Sequence, residues 1–312
     1  MKNFHNILFV SRGINDETEA LKQALSLARN NNASLKALIV CPELPPEMAD
    51  YKDNYATSLK DQLQQSSQAV RDLIQVSDTD VLMQIDMTSD DTPAIHIIQH
   101  ILRDAHDLVV KEAEPKEGGK GFKALDMDLL RKCPCPVWLC RPIAHHRNDI
   151  RVAVAIDPES TEQAGHDLSL RLLEFSRSLA DTCSGELNII SCWDYQHENT
   201  LRDSVWLKIS EREVKEIVMD TQSRHKDVLE DIIRESNIGG NIQLHHLRGD
   251  SEQMIPAIIE NKKIDILVMG TVARTGIPGF LIGNTAENVL QKIGCSLIAL
   301  KPNGFVSPVK PY

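Results

Sequence analysis

The chain repeats itself, and that repetition limits its possible folds more than any other feature. DLVVK (Asp107–Lys111), followed by LLRKCPCPVWLCRP, returns as DILVMG (Asp265–Gly270), followed by VLQKIGCSLIALKP. Superimposing Arg141-Pro142 on Lys301-Pro302 sets Cys135 on Cys295, and superimposing Asp107 on Asp265 shows that the intervening loops differ by two residues. Near the two starts, NILFVSR resembles RVAVAID. The second copy is the longer, with its extra residues expected in the charged run from Arg202 to Glu235. HHRND (His145–Asp149) reads as the linker, so the expected domains are 1–147 and 148–312.

Within each copy, short β-branched runs alternate with stretches of helical period. The expected strands are 6–11, 35–40, 81–86, 107–111 and 136–141, then 150–157, 186–192, 242–247, 265–270 and 296–301. Between them lie amphipathic segments such as DETEALKQALSLARN and SEQMIPAIIENKK, with Asp16 and Ser251 as expected N-caps. Strict alternation of strand and helix means a parallel sheet covered on both faces. The fold class is therefore α/β, two tandem doubly wound five-stranded parallel sheets. Such sheets take ligands at the carboxyl ends of their strands, where strand order reverses.

A net charge of −11 argues against direct nucleic-acid binding, which needs a basic surface, and neither half is basic by itself. The apolar run Ile7–Val10 is too short for a secretory core, and no stretch approaches the length that spans a bilayer. A cytoplasmic location is expected. Seven cysteines in no regular framework fit reduced thiols.

The loop after the fourth strand of the second copy carries the strongest signal. GTVARTGIPGFLIGNT spaces its residues as Gly270, two residues, Ala273, nine residues, then Gly283-Asn284-Thr285. Glycine lets a backbone approach a phosphate, and a helix N-terminus adds unpaired N–H donors and partial positive charge. A bland reading stands beside this one: Asn284-x-x-Glu287 matches a capping box, which would satisfy the helix start without a ligand. Ala273 at a position needing positive φ would be strained by about a kcal/mol.

With its repeat and these motifs, the whole chain resembles the universal stress protein family, in particular the tandem-domain members of its E-type subfamily. GTVARTGI, GNTAENV and RKCPCPVW carry the likeness. The family pattern is glycine, two residues, glycine, nine residues, then glycine with Ser or Thr; here Ala273 and Asn284 depart from it. The resemblance implies an adenine nucleotide alpha hydrolase-like fold in which the last strands, PVWLC and SLIAL, pair the copies into an internal pseudo-dimer; a further homodimer is left open. It implies ATP, with Mg, in the second copy: Met269 and Gly270 flanking the ribose, Gly283, Asn284 and Thr285 meeting the phosphates, Asp157 near the adenosine and Cys192 against the base. Arg274 would neutralise phosphate charge, and Ala273 takes the second glycine's place. A role in surviving stress, including DNA damage, follows from the same resemblance.

In the first copy, Glu112 and Pro115 replace the two glycines, Asp126 and Asp128 lie near the helix start, and Ser11-Arg12 stand where Asp157 does. Carboxylates there repel phosphate, so this copy is expected to pack, or to bind something uncharged. Cys133 and Cys135 would share a strand face with Cys140 on the other, as packed thiols. His96 and His100, four apart on TPAIHIIQHILRDAHD with His106 beyond, read as surface or boundary histidines with no metal. The pairs His145-His146 and His245-His246 read as linker and edge residues. No nucleophile elbow, zinc-protease or kinase signature occurs, and no Walker lysine. Three readings remain: a non-catalytic adenine-nucleotide binder, a scaffold with a lapsed site acting through another small, even apolar, ligand or a protein partner, and a weak ATPase.

Overall fold

A computed structural model describes residues 4–13, 16–89, 91–114, 116–160, 162–203, 209–271 and 282–311. The first repeat supplies β1 (Asn6–Ser11), α1 (Thr18–Asn31), β2 (Ser34–Cys41), α2 (Lys52–Ile74), β3 (Met83–Ser89), α3 (Pro93–Asp104), β4 (Leu108–Glu112), α4 (Ala124–Lys132) and β5 (Val137–Cys140). The second supplies β6 (Val152–Ala155), α5 (Gln163–Asp181), β7 (Glu186–Trp193), α6 (Glu198–Asp203), α7 (Glu211–Glu235), β8 (Asn241–Arg248), α8 (Ser251–Lys262), β9 (Ile266–Gly270), α9 (Asn284–Lys292) and β10 (Ser296–Leu300).

The chain forms two compact units. The first holds residues 1–144 and 294–312 together with the segment that opens at Thr271; the second holds 145–270 and 283–293. In the first unit the strand order is β3-β2-β1-β4-β5-β10. The first five are parallel, and β10 closes the row antiparallel to β5, with Leu297 opposite Leu139 and Ile298 opposite Trp138. Ser296 Oγ accepts from the Arg141 N–H at 2.9 Å beside this pair. In the second unit β9-β6-β7-β8 are all parallel. Both sheets reverse their order beside their first strand, between β1 and β4 and between β6 and β9.

Burial explains the sequence pattern of each strand. Central β1 is apolar on both faces, Ile7 through Val10 being fully buried, as a parallel strand between two helical layers requires. β3 and β8, the outer strands, have no fully buried residue and begin instead with alternating half-buried and exposed positions. That alternation displaces β3 from the expected 81–86 to Met83–Ser89: the apolar Val81-Leu82 lies ahead of the strand, with Leu82 exposed. The other nine expected strands appear with small shifts at their ends.

Two details differ from expectation. The N-caps of α1 and α8 are Glu17 and Asp250, each one residue from the expected Asp16 and Ser251. Asp250 accepts from the Glu252 N–H at 3.0 Å, and Asp16 from Thr18. The extra residues of the second repeat are also divided. Its first connection spans 156–185 against 12–33 in the first repeat, and its second spans 194–240 against 42–82, so the long helix α7 accounts for only part of them.

Candidate ligand site in the second repeat

The carboxyl ends of β6, β7 and β9 bring several of the expected residues to one edge of the second unit. The register Ala155↔Ile190, continued by Ile156 N–H to Ile190 O at 2.9 Å, sets Asp157 beside the end of β7, where Cys192 lies. Val154↔Val268 sets Met269 and Gly270 level with the same exit of β6. Asp157 is exposed and turns its carboxylate onto the Glu159 N–H at 3.1 Å. Cys192 is half-buried; burial first, and then the Asp250 carboxylate, push its thiol up to about 11, so it presents a neutral sulfur. Met269 is buried. Gly270 has a packing reason of its own, since a Cβ there would come within 2.9 Å of Leu168 Cδ2 on α5.

The start of α9 corrects the capping-box reading. The N-cap is Gly283 (φ −59°, ψ 142°), not Asn284, and glycine has no side chain with which to cap. Asn284 and Thr285 occupy the first helical positions and are exposed. Glu287 lies a turn inside, its N–H donating to Gly283 O at 2.9 Å. Extended backbone at Gly283 therefore moves the helix start one residue upstream of the Asn-x-x-Glu match, which breaks the box. Ala273 and Arg274 lie outside the described residues.

The same edge of the first unit is filled by the protein's own charges. Glu112, at the end of β4, accepts from the Ala20 N–H in the first turn of α1 at 2.9 Å. Glu17 accepts from Ser11 Oγ at 2.6 Å and from the Arg12 N–H at 2.7 Å. Arg12 pairs with Glu114 at 2.7 Å. Fully buried Lys111 pairs with fully buried Asp126 at 2.8 Å, and Asp126 also accepts from the Glu114 N–H at 2.9 Å. Burial raises Glu17 and pushes Glu112 up to about 7. Carboxylates thus take the helix-start and loop N–H groups that would otherwise face an anion. The substitution Glu112 for glycine was visible in the sequence. Lys111 was not singled out there, because a lysine ending a strand looks like an exposed one.

Beyond these edges, all seven cysteines are free thiols; Cys133 and Cys135 lie ahead of β5 and not on a strand, with their sulfurs 3.5 Å apart. His145 bonds Asp265 at 2.8 Å. His245 and His246 diverge on β8: His245 meets Asn188 at 2.8 Å, while His246 stacks on Trp193 and meets His225 at 3.0 Å. The boundary reading fails for His100 and His106, which are both buried.

The family model for the universal stress protein family matches the chain twice, over residues 3–141 and 151–301. The chain belongs to the universal stress protein family. Universal stress protein E of Photorhabdus laumondii is 26% identical over 318 residues, covering 99% of each chain. Universal stress protein E of Escherichia coli is 26% identical over 317 residues, covering 99% of this chain and 98% of that one. Among solved structures, a Pseudomonas aeruginosa protein described as functionally unknown matches with a TM-score of 0.70 at 22% identity, covering 97% of this chain and 95% of that one. A universal stress protein from Archaeoglobus fulgidus matches with a TM-score of 0.62 at 16% identity, covering 96% and 99%. These likenesses run the length of both tandem domains, and the α/β fold with a mostly parallel sheet agrees with them. A tandem universal stress protein is a stress-response protein. Among the described residues no helix is long and apolar enough to cross a membrane.

Proposed function

We propose that this protein is a cytoplasmic stress-response binder that holds an adenine nucleotide, ATP with Mg, in the second of two repeats spanning 1–147 and 148–312. Gly283, Asn284 and Thr285 would meet the phosphates at the start of α9, Met269 and Gly270 the ribose, Asp157 the adenosine and neutral Cys192 the base. Ala273 and Arg274 belong to the same sequence motif and complete the proposed set. The observation that carries this reading is the contrast between the repeats. One edge is filled by Glu17, Glu112 and Asp126, whereas the other ends in Gly270 and a helix whose N-cap is the side-chain-free Gly283. The antiparallel β5–β10 pair supports treating the repeats as an internal pseudo-dimer. The acidic surface disfavours nucleic acid as a partner.

Gly283→Asp tests the proposal, because it separates binding from stability. Aspartate is a favourable N-cap, so the variant should be as stable as the parent or a few tenths of a kcal/mol more so. Its carboxylate also takes the helix-start N–H groups and repels phosphate. Titration calorimetry with Mg-ATP should show one site in the parent and none in the variant. Equal heats from both proteins would count against the site. Phosphate release measured in the same samples separates a passive binder from a weak ATPase.

A further inference from the structure

At the opposite end of the first unit's sheet, where α3 runs out and β4 begins, two imidazoles and two carboxylates converge. His100 and Asp104 lie one turn apart on α3, and His106 follows the left-handed turn at Ala105 (φ 53°). One ligand atom from each of His100, Asp104 and His106 lies within 4.8 Å of the others. Asp86, from β3, approaches His100 Nε2 at 3.3 Å, and Asp104 approaches it at 3.6 Å. The two rings stack with centroids 5.3 Å apart.

The imidazoles have little else to do. His100 is 6% and His106 5% exposed. Among the described residues His100 Nδ1 has no hydrogen-bond partner, and the His106 ring has only the Asn6 backbone within reach. Leaving buried polar nitrogens unpaired carries the desolvation penalty of each group. Burial, reinforced by His100, pushes His106 down to about 4, and burial lowers His100 as well, so both rings keep their lone pairs at neutral pH. Asp104 is held down to about 2, chiefly by its bond to Lys36, and is ionised. The end of α3 adds the negative pole of its helix dipole.

We propose that His100, His106 and Asp104, with Asp86 beside them, form a binding site for a divalent transition-metal ion of the zinc class. Neutral imidazole with carboxylate is the donor set of zinc and its neighbours, whereas Mg and Ca take all-oxygen sites. A groove of about 630 Å³, lined in part by Asp104, His106 and Lys36, gives an ion a way in. A second, of about 410 Å³, reaches Asp86 and His100. Lys36 competes for the same carboxylates: its ammonium lies 2.8 Å from Asp104 and 3.4 Å from Asp86. Arg103 also lies against Asp104, at 3.0 Å. The metal therefore displaces Lys36 from Asp104.

That competition makes the site testable in the full chain. After chelator treatment, Zn²⁺ affinity is measured by competition with a chromophoric chelator, and Co²⁺ by its visible absorption. The parent should bind one ion at this site. His106→Gln and Asp104→Asn should each weaken it by on the order of 100-fold or more, beyond what loss of an outer-sphere partner causes. Lys36→Gln should tighten it, which no purely structural role for these residues would produce. If His106→Gln does not fold, Asp104→Asn and Lys36→Gln carry the test. Absence of stoichiometric Zn²⁺ binding, or binding that ignores all three substitutions, overturns the proposal.

Discussion

Glu112 stands where the second repeat has Gly270, and the consequences of that exchange are electrostatic. Its carboxyl is pushed up to about 7, first by burial, against the help of the Ala20 N–H, with Glu19, Glu17 and Asp16 adding repulsion. A raised carboxyl means that the folded state holds the proton more tightly than the unfolded one. Its contribution is full below the ordinary value of 4.5 and is lost as pH rises through about 7. The shift corresponds to at most about 3 kcal/mol, reduced by the solvent that reaches this part-buried group. Glu112→Gln, which keeps an acceptor for Ala20, should make the protein more stable than the parent at pH 8, with the difference closing toward pH 5. Denaturant melts at the two pH values check this; equal pH dependence in both proteins would show that Glu112 is not the group responsible. The sequence exposed this position because a glycine was replaced by an acid. It did not expose His100 with Asp104 and His106, although the i,i+4 spacing was there, since only the fold brings Asp86 from β3 and the turn residue His106 to the same point.

Among elements, strands were the most legible. Runs such as NILFV and ILVM are apolar on both faces, as strands inside a covered parallel sheet require. The edge strand β3 was the least legible of the ten, because its alternating MQIDMTS competes with the preceding apolar Val81-Leu82. Helix starts slipped by a residue: Glu17 takes the N-cap position of α1 without a side-chain capping bond, while Asp16 ahead of it accepts from the Thr18 N–H. The capping box shows how a local pattern is overridden and where it holds. Asn284-x-x-Glu287 matches in sequence but Gly283 takes the cap, whereas Ser210-x-x-Glu213 opens α7 with both reciprocal bonds made. Ser210 Oγ accepts from the Glu213 N–H at 3.2 Å, and Glu213 accepts from the Ser210 N–H at 2.8 Å. Ser210→Ala should cost about 1 kcal/mol. Because the helix start is exposed, hydrogen exchange should quicken in the first turn of α7 while the β6 and β9 amides keep their protection. Unchanged exchange at α7 would mean that the packing of Val214 and Val218 on Trp193, not the cap, holds that turn.

At the scale of the molecule, duplication explains why the architecture could be read from one sequence while the chemistry of each copy could not. The repeated DLVV and DILV strands, each followed by a Cys-x-x-apolar strand, recur at the same place in two parallel rows, β3-β2-β1-β4-β5 and β9-β6-β7-β8, whatever the loops between them hold. The loops are where the copies have parted. In one, Glu17, Glu112 and Asp126 satisfy the strand-end and helix-start N–H groups internally; in the other, Gly270 and Gly283 supply no such group. The last strand, β10, is grouped with the first unit through its antiparallel bond to β5, an exchange that periodicity cannot reveal because it is a matter of partner and not of residue type. On the proposed function, the second repeat retains a nucleotide site and the first does not. The most direct measurement is to denature the purified protein, incubated with Mg-ATP and freed of unbound ligand, and to identify and count what it releases by mass spectrometry. One adenine nucleotide per chain, absent from Gly283→Asp, is the predicted result. No nucleotide, or the same amount from Gly283→Asp, would contradict it.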